Sequence, residues 1–295
     1  FLHRDHLKLQ GVVILWGFTA VLGALIMLPA PEIVVFRTAI ASAILVLILR
    51  RKLRIPLRDA LNFTATGLVI GAHWVTFFLA VKVANVSICM VGMATLSLWT
   101  AILEPMIVRG RRFRPIDLVF GAVVIIGVSM IFESESEYSA GFLIAILSAF
   151  FASIFSVINS FHIKKAGPYL ITCYEMMGAC LFATISLPFL VHELDLAPSF
   201  MDWAYLFLLG GLCTVVAFSE YVNLLKRFSV FTINFMNNLE PVYGILLAAI
   251  ILKDYQHLGP GFYVGASIIV IAISLYPLVR RRFSTTEASY NPEAR

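Results

Sequence analysis

Apolar residues run along this chain in blocks of about twenty, the length an α-helix needs to cross roughly 30 Å of hydrocarbon. The blocks fall at residues 8–28, 31–49, 60–81, 86–108, 115–132, 139–163, 168–191, 202–225, 229–252 and 260–279, with short polar breaks between them. The pattern predicts ten transmembrane helices. An outer-membrane barrel would instead show segments of about ten residues with strict alternation, and none is seen. The first block, Leu9 to Leu28, is too long for the apolar core of a signal peptide and lacks a small-residue cleavage pattern, so it reads as a span.

Composition agrees with this picture. Of the 295 residues, 60% are hydrophobic and 13% charged, against about 25% charged in soluble domains. Charge adds a direction. Nineteen of the 22 Lys and Arg residues lie at alternate block ends, from Arg4 and Lys8 through the Arg50–Arg58 and Arg109–Arg114 loops to Arg280–Arg282 and Arg295. The other ends hold Lys82 and Lys253, with acidic Glu133, Glu135, Glu137, Glu193 and Asp195. The positive-inside rule then places both termini in the cytoplasm. The net charge of +5 is a property of topology, and no nucleic-acid partner is expected. Cys89, Cys173, Cys180 and Cys213 all fall inside apolar blocks, which predicts packed thiols rather than disulfides or a metal site.

An offset of 144 residues aligns the chain weakly with itself. Gly67-Leu68 falls on Gly211-Leu212, Lys82 on Lys226, Val86 on Val230, and Gly121-Ala122 on Gly265-Ala266. A five-span unit is odd, so its second copy enters the membrane from the opposite side. The expected fold is therefore an all-α membrane protein of ten helices in two inverted five-helix repeats. The repeats are residues 1–137 and 138–282, followed by a cytoplasmic tail, 283–295. Repeats of this kind place a solute site near the midplane, at the repeat interface.

Ten spans in a five-plus-five plan resemble the EamA-type branch of the drug/metabolite transporter superfamily. The resemblance rests on Trp16-Gly17, on Pro31 with Arg37, on Leu239-Glu240-Pro241-Val242, and on Gly121 and Gly265. It implies a central cavity lined by spans 1–4 and 6–9, with spans 5 and 10 outside it. It also implies carriage of a small organic metabolite, such as an amino acid or drug-like solute, in the direction of export across a bacterial inner membrane. One departure stands out. At the fixed offset Pro241 pairs with Ser97, and Glu104-Pro105 lies further along.

Depth sorts the polar residues inside the spans, because a charge at helix centre costs about 2.5–3.5 kcal/mol on insertion scales. Glu104 and Glu220 lie close to Arg109 and Lys226 and are expected to pair at the interface. Arg37 has two readings: its stem reaches the outer surface, or it anchors a substrate carboxylate. Glu240 lies roughly 16 Å along its span, too deep for a short carboxylate to reach water. Pro241 removes a helical hydrogen bond beside it, and Asn234, Asn237 and Asn238 line one side of the same helix. Span 9 is therefore the leading candidate for the site. Glu175 and His73 are further candidates, and Trp16, Trp99 and Tyr174 are candidate cavity walls. Aromatics at helical spacing also serve as plain packing.

Other classes of function fare less well. There is no His-Glu-x-x-His, no Gly-x-Ser-x-Gly and no phosphate-binding loop, so neither an intramembrane enzyme nor direct ATP drive is expected. No cofactor is expected. A receptor without flux is the alternative to a carrier. The expected partners are a small solute, the lipid bilayer and, as candidate coupling ion, the proton, acting on Glu240 or Glu175.

Overall fold

The computed structural model describes residues 2–108, 115–134, 136–191, 198–228, 230–237 and 239–290. Among these the chain is helical, with no strand. The helices are α1 (Leu2–Leu25), α2 (Ala30–Leu49), α3 (Leu57–Val83), α4 (Val86–Met93), α5 (Leu96–Ile107), α6 (Pro115–Ser134) and α7 (Ser139–His162). They continue with α8 (Pro168–Leu190), α9 (Phe200–Phe207), α10 (Ala217–Leu224), α11 (Val230–Asn237), α12 (Glu240–Ile251) and α13 (Pro260–Tyr290). A π-helical segment, Leu208–Val216, joins α9 to α10 without a turn.

Seven helices are individually long and apolar enough to cross a membrane: 4–25, 30–49, 57–83, 86–107, 136–162, 168–190 and 200–224. The fifth, ninth and tenth apolar blocks appear as shorter apolar helices, Val119–Ile131, Glu240–Ile251 and Pro260–Tyr276.

The polarity of the bundle is that of a protein dissolved in lipid. Its exterior carries Leu47, Phe189 and Ile250, each more than 70% exposed, whereas Arg37, Asn159 and Glu175 are at most 1% exposed. In water that arrangement would be a large apolar patch; in hydrocarbon it is the stable one, since polar groups must find protein or a cavity. The protein is an integral membrane protein.

Contacts between helices follow a pattern when the ten apolar blocks are counted in order. Block three lies on block seven as eight lies on two, four lies on six as nine lies on one, and five lies on ten. Glycines permit the closest crossing, that of α3 with α8. A Cβ on Gly67 would stand 2.1 Å from the Glu175 carbonyl oxygen, and one on Gly178 would stand 2.0 Å from that of Thr64. Small residues of this kind let backbones touch where no hydrophobic force draws helices together.

The two interrupted helices are spaced alike. Met93 ends α4 and Asn237 ends α11; Leu96 opens α5 and Glu240 opens α12. Both pairs differ by the 144-residue offset read from the sequence. The Glu-Pro pairs do not correspond, since Glu104 and Pro105 lie well inside α5 whereas Glu240 and Pro241 open α12.

Candidate functional site

A cavity of about 520 Å³, partly continuous with the outside, lies between the halves of the chain. Walls come from α1, α2, α3, α4, α5, α7, α10, α11 and α12. Among the described residues, α6 and α13 contribute nothing to it, as the resemblance implied. Neither does α8, which corrects the expectation that span 7 lines the cavity: its inner face is spent on the glycine crossing with α3.

Arg37 supplies the cavity's cation. It does not reach the surface, being 1% exposed, so the reading in which its stem escapes to the interface is overturned. Its Nε donates to Thr214 Oγ1 at 2.8 Å, and its guanidinium carbon stands 3.9 Å over the Trp74 ring. Thr214 is placed by the π segment, where its hydroxyl donates to the Leu209 carbonyl five residues back at 2.7 Å. Single π turns often sit at functional positions, and here one turns an acceptor toward the arginine. No carboxylate among the described residues pairs with Arg37, and its Nη1 is buried without a partner. The ring face offsets part of the desolvation cost, but a buried charge lacking its partner is expensive.

Glu240 stands at the opposite polarity. Leu239 donates from its N–H to the Met236 carbonyl at 3.1 Å as the helix breaks, and the Tyr243 N–H re-forms the helical ladder at 3.0 Å. Pro241 at the start of α12 needs no helical partner for its nitrogen, which is where proline is tolerated. The carboxyl therefore sits in a helix's first turn, favoured by the helix dipole. Asn237, on the other side of the break, has a buried Oδ1 with no partner. Asn238 lies outside the described residues.

His73 is held by Ser148. The Ser148 hydroxyl donates to the His73 carbonyl at 2.8 Å, so the ring Nδ1, 3.0 Å from the Ser148 carbonyl, must be the donor there. This assigns the tautomer from the hydrogen-bond network and leaves Nε2 of the neutral ring as an acceptor. Trp16 packs on Tyr221 and Phe218 at centroid distances of 5.2 and 6.4 Å, and Tyr221 donates to Ser156 at 3.0 Å.

Of the nine candidates from sequence, Trp16, Arg37, His73, Asn237 and Glu240 line the cavity. The other four stand outside it. Trp99 packs edge-on against Phe150 at 5.1 Å, and Asn234 donates to Thr100 at 2.8 Å. Tyr174 donates to the Leu53 carbonyl at 2.7 Å, tying α8 to the turn after α2. Glu175 is fully buried away from the lining. Residues that sequence reasoning missed include Thr214, whose role depends on the π segment, and Tyr221, which carried no motif. Trp74 could have been weighed from its place beside His73.

Ion pairs gather at the end of the bundle with the basic loops: Lys8–Glu220 at 2.8 Å, Lys165–Asp59 at 3.6 Å, and Arg227–Asp5. Glu220 is thus interfacial, but its partner is Lys8 of α1 rather than Lys226. Glu104 is buried, and Arg109 lies outside the described residues. At the other end, Asp202 accepts from the Met27 N–H at 2.9 Å, and Asp254 accepts from the Ser87 hydroxyl at 2.7 Å.

Comparison with known proteins agrees with the architecture. A solved crystal structure titled only as that of a protein aligns over 95% of this chain and 99% of its own, with TM-score 0.67 and 16% identity. Such a likeness concerns the fold alone. No curated protein matches the chain. The sequence profile of the EamA-like transporter family matches twice, over residues 7–133 and 139–277. With nearly the whole chain so matched, the protein belongs to the EamA-like transporter family.

Proposed function

We propose that the protein is a secondary carrier that exports a small carboxylate-bearing solute, of the amino-acid class, by alternating access around this cavity. The observation that carries the reading is Arg37, a buried cation with an unpartnered Nη1 on the wall of a mid-bundle cavity. A solute carboxylate matches it in charge and geometry. Glu240 offers a counter-charge for an ammonium group, and Trp16 and Phe218 offer ring faces for an apolar side chain. Ten spans in two inverted halves, with the basic loops in the cytoplasm of a bacterial inner membrane, are the frame for this reading. The matched helix contacts and the equal spacing of the two breaks support it.

The test is solute flux in proteoliposomes across a panel of amino acids, nucleobases and organic cations. Saturable flux of carboxylate-bearing solutes, competed by one another, is the expected result. Binding without flux would make the protein a receptor and overturn the carrier reading. Saturable flux confined to cations would overturn the role of Arg37.

A further inference from the structure

Glu175 is a fully buried carboxyl that the cavity does not use. It is 0% exposed, and neither of its oxygens makes a hydrogen bond. Asn159 of α7 faces it and is itself 0% exposed, near enough to act on the carboxyl but with neither amide atom in full hydrogen-bond geometry. Thr172, one turn earlier on α8, has a buried hydroxyl without a partner. Buried polar groups are nearly always paired, so a buried carboxyl and the amide facing it, neither with a full hydrogen bond, ask for an occupant.

The charged groups on the surrounding helices are committed elsewhere. On α2, Arg37 is held by Thr214 and Trp74, while Glu32 and Arg50 lie at the helix ends. On α3, Asp59 pairs with Lys165, His73 is held by Ser148, Lys82 reaches the Ile26 carbonyl, and Arg58 is exposed. From α7, His162 engages Thr66 at 2.8 Å. On α10, Glu220 pairs with Lys8. Tyr221, which also lines the cavity, lies within electrostatic reach of Glu175. Its hydroxyl, bonded to Ser156, is the side chain common to both places.

Glu175 also sits in a setting like that of Arg37, although the 144-residue offset does not pair the two. Each helix opens on a proline, Pro31 or Pro168, with the charged residue about two turns on. Each charged residue presents its backbone carbonyl to a glycine of the other half: Arg37 to Gly210 and Glu175 to Gly67. One half thus buries an unpaired base and the other an unpaired acid, in similar settings.

We propose that Glu175 is a proton-binding site serving the basic-loop side of the carrier, with Tyr221 as its link to the solute cavity. The inference deepens the carrier reading by naming its coupling site. A lone buried carboxylate meets its desolvation cost most simply by taking a proton. The carboxylate takes one proton by way of the solute cavity when that opens to the far side and releases it to water at the basic end, so one proton crosses the membrane in each cycle and no electrons move. A sodium ion fits less well, because hard cations prefer about six oxygen ligands and, among the described residues, Asn159 is the side-chain amide that faces Glu175.

The direct probe is the proton itself, read by infrared difference spectroscopy of the full chain in liposomes. A protonated-carboxyl band that is lost in Glu175→Gln, is kept in Glu240→Gln, and fades and returns reversibly with pH is expected. A band unaffected by Glu175→Gln, one that persists at every pH, or one bleached by sodium at constant pH overturns the proposal. Asn159→Ala, which keeps the carboxyl, should move the band's frequency; an unmoved band contradicts the packing of these groups. These readings need no solute, so they stand apart from the flux panel. Once a solute is known, Glu175→Gln should abolish acceleration by a pH gradient while solute exchange continues. A retained gradient response overturns the coupling role.

Discussion

The fourth and ninth apolar blocks are broken at the same place and carry opposite chemistry. Met93 and Leu96 flank the first break, Asn237 and Glu240 flank the second, and all four line the cavity. The first break is a backbone turn: Thr95 donates from its hydroxyl to the Gly92 carbonyl at 2.7 Å, and the Ala94 N–H reaches Met90 and Val91. The second has Pro241 fixed in the opening turn of α12. Identical spacing with different means teaches that the interruption belongs to the architecture. The polar side chains at the second break are an addition to it, and function is expected to be lopsided.

The largest effect should come from making the second break resemble the first. Glu240→Leu removes a buried carboxyl from the cavity, and losing one member of such a polar set costs about 2–5 kcal/mol, or roughly 30-fold or more in solute flux. Flux measured against the amount of protein in the vesicles checks this. Flux within a few-fold of the original would show that the two breaks are equivalent after all. Replacing the proline sharpens the geometric half of the comparison. Pro241→Ala restores an N–H and frees the helix to close, so flux should fall several-fold while the melting temperature in detergent does not drop. Unchanged flux would mean that the proline has no part in shaping the site. The smallest effect belongs to the first break. Thr95→Val removes one hydroxyl hydrogen bond, about 1 kcal/mol, and should lower the melting temperature slightly with flux preserved. A loss as severe as that of Glu240→Leu would put chemistry on the fourth block as well.

Much of this was legible in the sequence, because a bilayer imposes length and polarity on every segment that crosses it. The apolar blocks, the proline-marked ninth block and the depth of Glu240 follow from that constraint. Side-chain partnership was less legible. Depth alone gave Arg37 an escape to the surface, whereas Trp74 and Thr214 hold it inside. Trp99 and Tyr174 sat at cavity-like depth but face Phe150 and the Leu53 carbonyl, since rotation about a helix axis is set by its neighbours. The π segment had no signature in its composition, yet it supplies the acceptor for Arg37. The break after Met93 lacks a proline and passed unnoticed beside the one that has it.

The central claim is that Arg37 anchors a carboxylate within a transport cavity. Its most direct test is uptake by proteoliposomes holding Arg37→Ala or the original protein, with carboxylate-bearing amino acids compared against their neutral amide or ester analogues. A charge-assisted bond lost to alanine should cost about 2–3 kcal/mol, raising KM for the carboxylates roughly 30- to 100-fold while the analogues change little. An equal loss for both classes, with the protein still folded, would make Arg37 a structural residue and contradict the account.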